Sequence, residues 1–367
     1  MSQYILIIIW LGLCLVFTEI FKPYTEDEVY GYRIKKYNLV FAFIIMVPLI
    51  LWAGFRPSGF FDTGNYARTF KALPTTFSGA IQSWGSYRKD QAFYVLASLI
   101  HAAIGDDTTV YFLIIAAFQG VILFVTFRRY SVDYLFSVFL FVAATDYLSW
   151  MHNGMRQFVA VTIILIGLPF IIEKKYIWAI LIAVAASFFH ASALLMIPVI
   201  FVVQGKAWNL RTVFLLLGVV IVYFFLERFT GWMDYLLEDT QYANVVEDWV
   251  SWEDNGTNPL RVLVYAIPMI LALVGLRFVK AENSPMINVA VNMSVVTTAL
   301  YLVSMFTSGI FVGRLPIYTS IVSNCILLPW EIDHIFEKDS ARIVKIIAVV
   351  AFLLFYYYQC HLTWHII

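Results

Sequence analysis

Residues 108–127, TTVYFLIIAAFQGVILFVTF, run for twenty positions without a charge, and Arg128 and Arg129 close the run. At 1.5 Å per residue a helix of that length crosses the ~30 Å hydrocarbon core of a bilayer. No water there satisfies backbone amides, so the helix is the form that suits the run. Comparable runs recur on both sides of it, at 3–21, 38–54, 132–149, 154–172, 176–190, 191–203, 211–229, 259–279, 286–307, 309–329 and 343–359. Those shorter than ~20 residues are expected to be tilted, broken or extended by interfacial side chains. The first lacks a basic stretch before it and a small-residue cleavage pattern after it, and is read as a retained span.

Composition agrees with that reading. Of 367 residues, 62% are hydrophobic and 13% charged, with a mean hydropathy of +0.81. A soluble domain is nearer half apolar and a quarter charged, so a water-soluble monomer is excluded, as is a disordered chain. Lys+Arg and Asp+Glu are both 24, which removes any general attraction to nucleic acid. Cys14, Cys325 and Cys360 sit far apart in apolar segments without a CxxC pair, as buried structural cysteines do. The many Tyr, Trp and Phe suit aromatic belts at two interfaces. The expected fold is an all-α polytopic membrane protein, a single integral domain over 1–367 with about 12 transmembrane helices plus one short re-entrant or interfacial helix.

Basic residues set the orientation. Lys22, Arg33, Lys35, Lys36, Arg128, Arg129, Lys174, Lys175, Lys206, Arg211, Arg277, Lys280, Lys338, Arg342 and Lys345 fall in alternate connections, which are expected to be cytoplasmic. The other nine, among them Arg56, Arg156, Arg228 and Arg314, fall opposite. This alternation requires that 91–104, QAFYVLASLIHAAI, not cross fully, because its 14 residues give only ~21 Å of helix. Both termini are then outside. Residues 55–107 form an expected outer-face loop with juxtamembrane helices, where 66–84 reads as an amphipathic helix or helix pair broken at Pro74 and Gly79. Residues 230–258 form a second outer loop, acidic and aromatic, with Asp234, Glu238, Asp239, Trp232, Trp249 and Trp252 among its members. It reads as a sugar-stacking cover or as a solvated loop with interfacial anchors.

Three outer arginines sit at the ends of apolar spans: Arg56 after LWAGF, Arg156 in WMHNGMRQFVA and Arg314 in FVGRLPIY. Arginine within a span generally faces a cavity or an anion, and its planar fork suits phosphate. The alternative for each is snorkelling to headgroups. Asp62, in GFFDTGNY, is either a partly desolvated acid or base or a helix N-cap. His190, in ASFFHASALLMIP, is either a base, a phosphate ligand or a hydrogen-bonding bridge between helices, or a structural imidazole; His152, four residues before Arg156, either shares a helix face with it or belongs to the aromatic belt. No phosphate loop, HExxH or GxSxG occurs. His361 and His365 are spaced for a metal but read better as interfacial, so no metal and no cofactor is expected.

AGFRPSGFFDTGNY resembles the first outer-loop motif of the EpsG family of Wzy-like polysaccharide polymerases, Ala-Gly-x-Arg followed by Asp-Thr and Tyr. GMRQFVAVTI looks like that family's Arg-Gln-x-x-Ala helix start, and SFFHASALLMIPV looks like its Phe-His-x-Ser-Ala-Leu segment. The three occur in the family's order across 53–198. One departure is that Phe60 and Phe61 precede Asp62 where family members often carry Gly-Thr. The resemblance implies that Arg56, Asp62, Tyr66, Arg156, Gln157 and His190 line an active site, with Asp62 as base ahead of His190; Arg314 is added from charge placement. It also implies a GT-C-like architecture and a glycosyltransferase of the O-antigen, capsule or exopolysaccharide kind. Such an enzyme acts on undecaprenyl-pyrophosphate-linked oligosaccharides at the outer leaflet of the bacterial inner membrane, and a chain-length regulator is the expected protein partner. Competing classes are another lipid-linked glycosyltransferase or ligase, and a flippase, which would need an inward-facing state.

Overall fold

A computed structural model describes residues 3–225 and 254–366; most of the expected acidic loop, including Trp232, Asp234 and Trp249, lies outside them, as does Arg228. The chain is a helical membrane protein. Among the described residues four helices are long and apolar enough to cross a bilayer: Tyr4–Phe21, Thr108–Tyr130, Pro285–Met305 and Lys338–Thr363. Two bent pairs raise the number to six if each is one span: Tyr134–Ala143 with Tyr147–Asn153, bent by 73°, and Pro259–Val274 with Leu276–Glu282, bent by 74°. A count of twelve would require shorter helices of 10–17 residues to cross as well.

In chain order the first elements are α1 (Gln3–Phe21), a hairpin of β1 (Tyr24–Val29) and β2 (Tyr32–Tyr37), and α2 (Leu39–Gly54). Then come α3 (Thr63–Lys71), α4 (Phe77–Gln82), α5 (Gln91–Ile104), α6 (Thr108–Tyr130) and α7 (Tyr134–Ala143). A π-helical turn, Tyr147–Asn153, leads into α8 (Met155–Ile166). Later elements are α9 (Leu168–Ile172), α10 (Tyr176–Ser187), α11 (Met196–Val202), α12 (Leu210–Phe224), α13 (Pro259–Val274), α14 (Leu276–Glu282), α15 (Pro285–Met305), α16 (Ile317–Val322), α17 (Leu328–Ile335) and α18 (Lys338–Tyr357).

These residues form two compact units. The first comprises Met1–Leu168, Leu181–Leu194 and Phe336–Ile367, and the second Pro169–Ile180 and Leu195–Ile335.

Within the first unit α2 and α6 pack closely because glycine stands at two crossing points. A Cβ on Gly120 would lie 2.4 Å from Ile50 Cγ1, and one on Gly54 would lie 2.7 Å from Leu113 Cδ1. Small residues let membrane helices approach until their backbones nearly touch. At one end of this pair sits the hairpin, which hydropathy did not anticipate. Its two turn residues, Tyr30 and Gly31, both have positive φ, as two-residue hairpin loops require. Opposite charges face across it, Glu26 against Lys35 and Glu28 against Arg33. Tyr32 and Tyr37 turn inward, and Tyr32 donates to the Tyr130 carbonyl. Arg128 Nε donates to the Tyr37 carbonyl at 2.7 Å, so the basic end of α6 is tied to the hairpin.

At the other end, α3, α4 and α5 pack beside the start of α6, around Phe70, Phe93, Tyr111 and Phe112. Pro74 falls between α3 and α4, and Gly79 lies inside α4 rather than breaking it. His101, on α5, bonds the Leu73 carbonyl at 3.0 Å and Asp106 at 2.8 Å, fixing α5 to the loop it packs on.

In the second unit α15 is buried along most of its length and carries Asn288, Asn292, Ser294, Thr297 and Thr298 inward. Asn292 accepts from the Trp208 amide at 3.0 Å and donates to the Val203 carbonyl, so a side-chain amide replaces water for a turn that hydropathy alone would leave unsatisfied.

Candidate active site

Where α3, α5, α6 and α8 meet, they enclose a cavity of about 170 Å³. Asp62, Asn65, Tyr66 and Thr69 line one wall from α3 and the residue before it, Tyr94 and Ala97 come from α5, Tyr111 from α6 and Arg156 from α8. Helical spacing explains the α3 wall, since positions 62, 66 and 69 fall on one face. Phe70 stacks on Tyr111 with centroids 4.2 Å apart and closes the cavity's apolar side.

Arg156 dominates the polar side. Its Nη1 donates to Asp90 Oδ2 at 2.7 Å and to Tyr94 Oη at 2.9 Å, and the Tyr66 hydroxyl is a third partner. Its guanidinium carbon lies 5.7 Å from the Tyr94 ring centroid. The Arg156 side chain keeps 26% of its surface exposed while that of Asp90 keeps only 3%. The carboxylate therefore lies behind the arginine and the guanidinium faces the cavity. A guanidinium has five N–H donors, so three contacts leave capacity for a bound anion.

Asp90 is placed by an unusual backbone. Its φ of +56° puts it in the left-handed region immediately before α5, a conformation that costs a non-glycine residue about 1 kcal/mol. Burial pushes its carboxyl up from the ordinary range, while Arg156, Lys89 and the Ala191 amide pull it back. The neighbouring Tyr87 stacks on Tyr94 at 4.8 Å and holds that hydroxyl toward the arginine.

Of the residues expected at the site, Asp62, Tyr66 and Arg156 line this one cavity. Asp62 stands in the N-cap position of α3 but makes no capping hydrogen bond; its contact is with Asn65 Nδ2 at 3.5 Å. Gln157 follows Arg156 and is buried. His190 lies in the same unit beside Ala191, and its Nδ1 bonds Ser192 Oγ at 2.7 Å. Arg56 is not among the lining residues. It is 6% exposed, donates to the Ala53 carbonyl at 2.5 Å and the His152 carbonyl at 3.0 Å, and packs on the Phe112 ring. His152 is buried beneath it, against Tyr147 and Phe60.

Arg314 belongs to the second unit, exposed on a short helical turn, Val312–Arg314. Asp254 braces the approach to that turn. Its carboxylate accepts from Ser308 Oγ, from the Gly309 amide at 3.0 Å and from the Ile310 amide at 2.9 Å. Burial would raise its pKa, but these donors outweigh burial and hold it below the usual carboxylate range.

Asp90 and Tyr94 escaped sequence reasoning. Asp90 has the look of an ordinary helix cap before an apolar run, and nothing in the sequence links it to an arginine 66 positions away.

No curated protein and no solved structure matches the chain significantly. A family model does match, from residue 39 to residue 363, and so takes in the cavity and nearly every apolar helix. That family implies, in general terms, a membrane-bound polymerase of the glycosyltransferase kind in polysaccharide biosynthesis. The chain belongs to the EpsG family.

Proposed function

We propose that the protein is a polysaccharide polymerase that joins undecaprenyl-pyrophosphate-linked oligosaccharide repeat units at the outer leaflet of the bacterial inner membrane. The observation that carries this reading is a single cavity offering both a carboxylate, Asp62, and a cation braced from behind, Arg156. A hydroxyl of the incoming repeat unit attacks the anomeric carbon of the growing chain, and undecaprenyl pyrophosphate departs. The new glycosidic C–O bond forms as the C–O bond to pyrophosphate breaks. Asp62 takes the hydroxyl proton, and Arg156 neutralises the charge gathering on the pyrophosphate. Asp62 is preferred over His190 as base because it lines the cavity, whereas the His190 ring is turned to Ser192. The donor arrives activated, so the chemistry draws on no nucleotide. Lipid-linked oligosaccharides are the proposed ligands and a chain-length regulator the proposed protein partner.

The test is product analysis with purified protein and a synthetic polyprenyl-pyrophosphate oligosaccharide, without nucleotide sugar. A ladder rising by whole repeat units, lost with Asp62→Asn, is expected. A single added unit would indicate a sibling transferase. Transbilayer movement of the lipid without new product would indicate a flippase.

A further inference from the structure

The second cavity of the first unit lies at the opposite end of α2 and α6 from the catalytic pocket, beside the hairpin. It is a slot of about 180 Å³ between α1, α7 and α18. Its character changes along its length. One end is apolar, with Ile8 and Leu11 from α1, Phe139 from α7 and Leu353 from α18. The other end is charged, with Glu19, Lys35, Asp133 and Lys345 at the mouth. From Ile8 to Glu19 the α1 stripe runs ~17 Å, close to the length of a fatty-acyl chain.

The charges at the mouth are unevenly matched. Lys345 Nζ bonds Asp133 Oδ2 at 2.5 Å, while Asp133 Oδ1 caps α7 through the Phe136 amide. Burial would push the Asp133 carboxyl up, but Lys345, then Lys35, hold it below the ordinary range. This leaves Lys35 and Glu19. Lys35 Nζ sits 5.7 Å from the Tyr24 ring centroid and has no ion-pair partner among the described residues. Glu19 is exposed on α1 and likewise forms no ion pair there. A cation and a carboxylate that form no ion pair among the described residues, at the mouth of an apolar slot, complement a headgroup that carries both signs.

We propose that this slot binds a phospholipid with a primary-amine headgroup, of the phosphatidylethanolamine type. One acyl chain lies along α1, the phosphate meets Lys35 and the ammonium meets Glu19. A quaternary ammonium cannot donate a hydrogen bond to Glu19, and a phosphatidylglycerol headgroup brings no cation for it to pair with. The site is independent of the proposed polymerase reaction.

The test is lipid retention. Full-length protein in detergent is equilibrated with equimolar phosphatidylethanolamine, phosphatidylglycerol and phosphatidylcholine of the same acyl composition, then analysed by native mass spectrometry. Wild type should retain phosphatidylethanolamine about fivefold over phosphatidylcholine, the scale of one interfacial charge contact. Lys35→Gln should lower retention of all three lipids, and Glu19→Gln should remove the preference for phosphatidylethanolamine over phosphatidylcholine and raise relative retention of phosphatidylglycerol. Gly12→Leu fills the slot itself; a Cβ at Gly12 meets nothing within 4 Å, so this variant should fold and lose retention of every lipid. Equal retention of the three lipids by wild type would mean ordinary annular lipid and overturn the proposal. So would undiminished retention in Gly12→Leu.

Discussion

At the residue scale the candidate site turns on Arg156, because one guanidinium faces the cavity while Asp90, Tyr94 and Tyr66 fix it from other directions. Removing a fixed charge stabiliser from a dry site typically lowers turnover by about two orders of magnitude. Arg156→Ala is therefore expected to cut polymerisation about 100-fold with membrane abundance unchanged, and Arg156→Lys should fare little better, since an ammonium cannot reproduce a planar fork. Asp90→Asn keeps the shape and removes the charge behind the arginine; combined with Arg156→Ala it should add nothing to the single loss, as expected of two residues acting as a unit. Quantified ladders from purified variants decide both points. Asp62 and Arg156 were legible in the sequence because a carboxylate and an arginine beside apolar spans are conspicuous. Asp90 was not, because its role comes from a left-handed backbone and a tertiary contact that no local pattern encodes.

At the element scale, the α2–α6 crossing makes a sharp demand. Gly120→Ala is expected to destabilise the protein by driving Cβ into Ile50, and adding Ile50→Ala, which removes the offending atoms, should recover part of the loss; thermal melts of the single and double variants test this. The bracing of the 306–314 loop by Asp254 yields a pH prediction. A carboxyl whose pKa is lowered on folding contributes stability that is complete above its unfolded value, ~3.9, and disappears as pH falls through the lower folded value. Asp254→Asn should therefore melt earlier than wild type at pH 7, by an amount on the order of 1–3 kcal/mol, and the gap should close only below about pH 4. A gap that persists unchanged at pH 3 would contradict the assigned role. Apolar length predicted most of these helices, since hydropathy alone sets where α1, α2, α6 and α15 begin and end. It missed the β1–β2 hairpin, where facing charges and the inward Tyr32, Ile34 and Tyr37 carry the signal, because the segment between α1 and α2 is too polar and too short to register as a span. It also placed a helix start near 309, where the chain instead makes a braced loop and begins α16 at Ile317.

At the scale of the whole molecule, the first unit has a polar cavity at one end of α2 and α6 and the β1–β2 hairpin at the other. By the positive-inside rule, Lys22, Arg33, Lys35 and Lys36 lead us to expect the connection that holds the hairpin on the cytoplasmic side. Arg68 and Arg33 are exposed at the two ends, and the native cysteines are buried, so each can be replaced by a single reporter thiol. In intact cells an impermeant maleimide should label Arg68→Cys and not Arg33→Cys; the reverse pattern would place the cavity on the cytoplasmic side. The bend after α7 bears on how a mutational survey of this protein would be interpreted. The helical turn that follows it, Tyr147–Asn153, presents the His152 carbonyl to Arg56, which donates to it from just past the end of α2. Arg56→Ala strands that carbonyl in an apolar interior, so the expected defect is loss of protein rather than loss of turnover. A screen scored by surface polymer would group Arg56 with Arg156, since both leave the cell bare. An immunoblot of membrane fractions should separate a chain that was degraded from one that is present and idle.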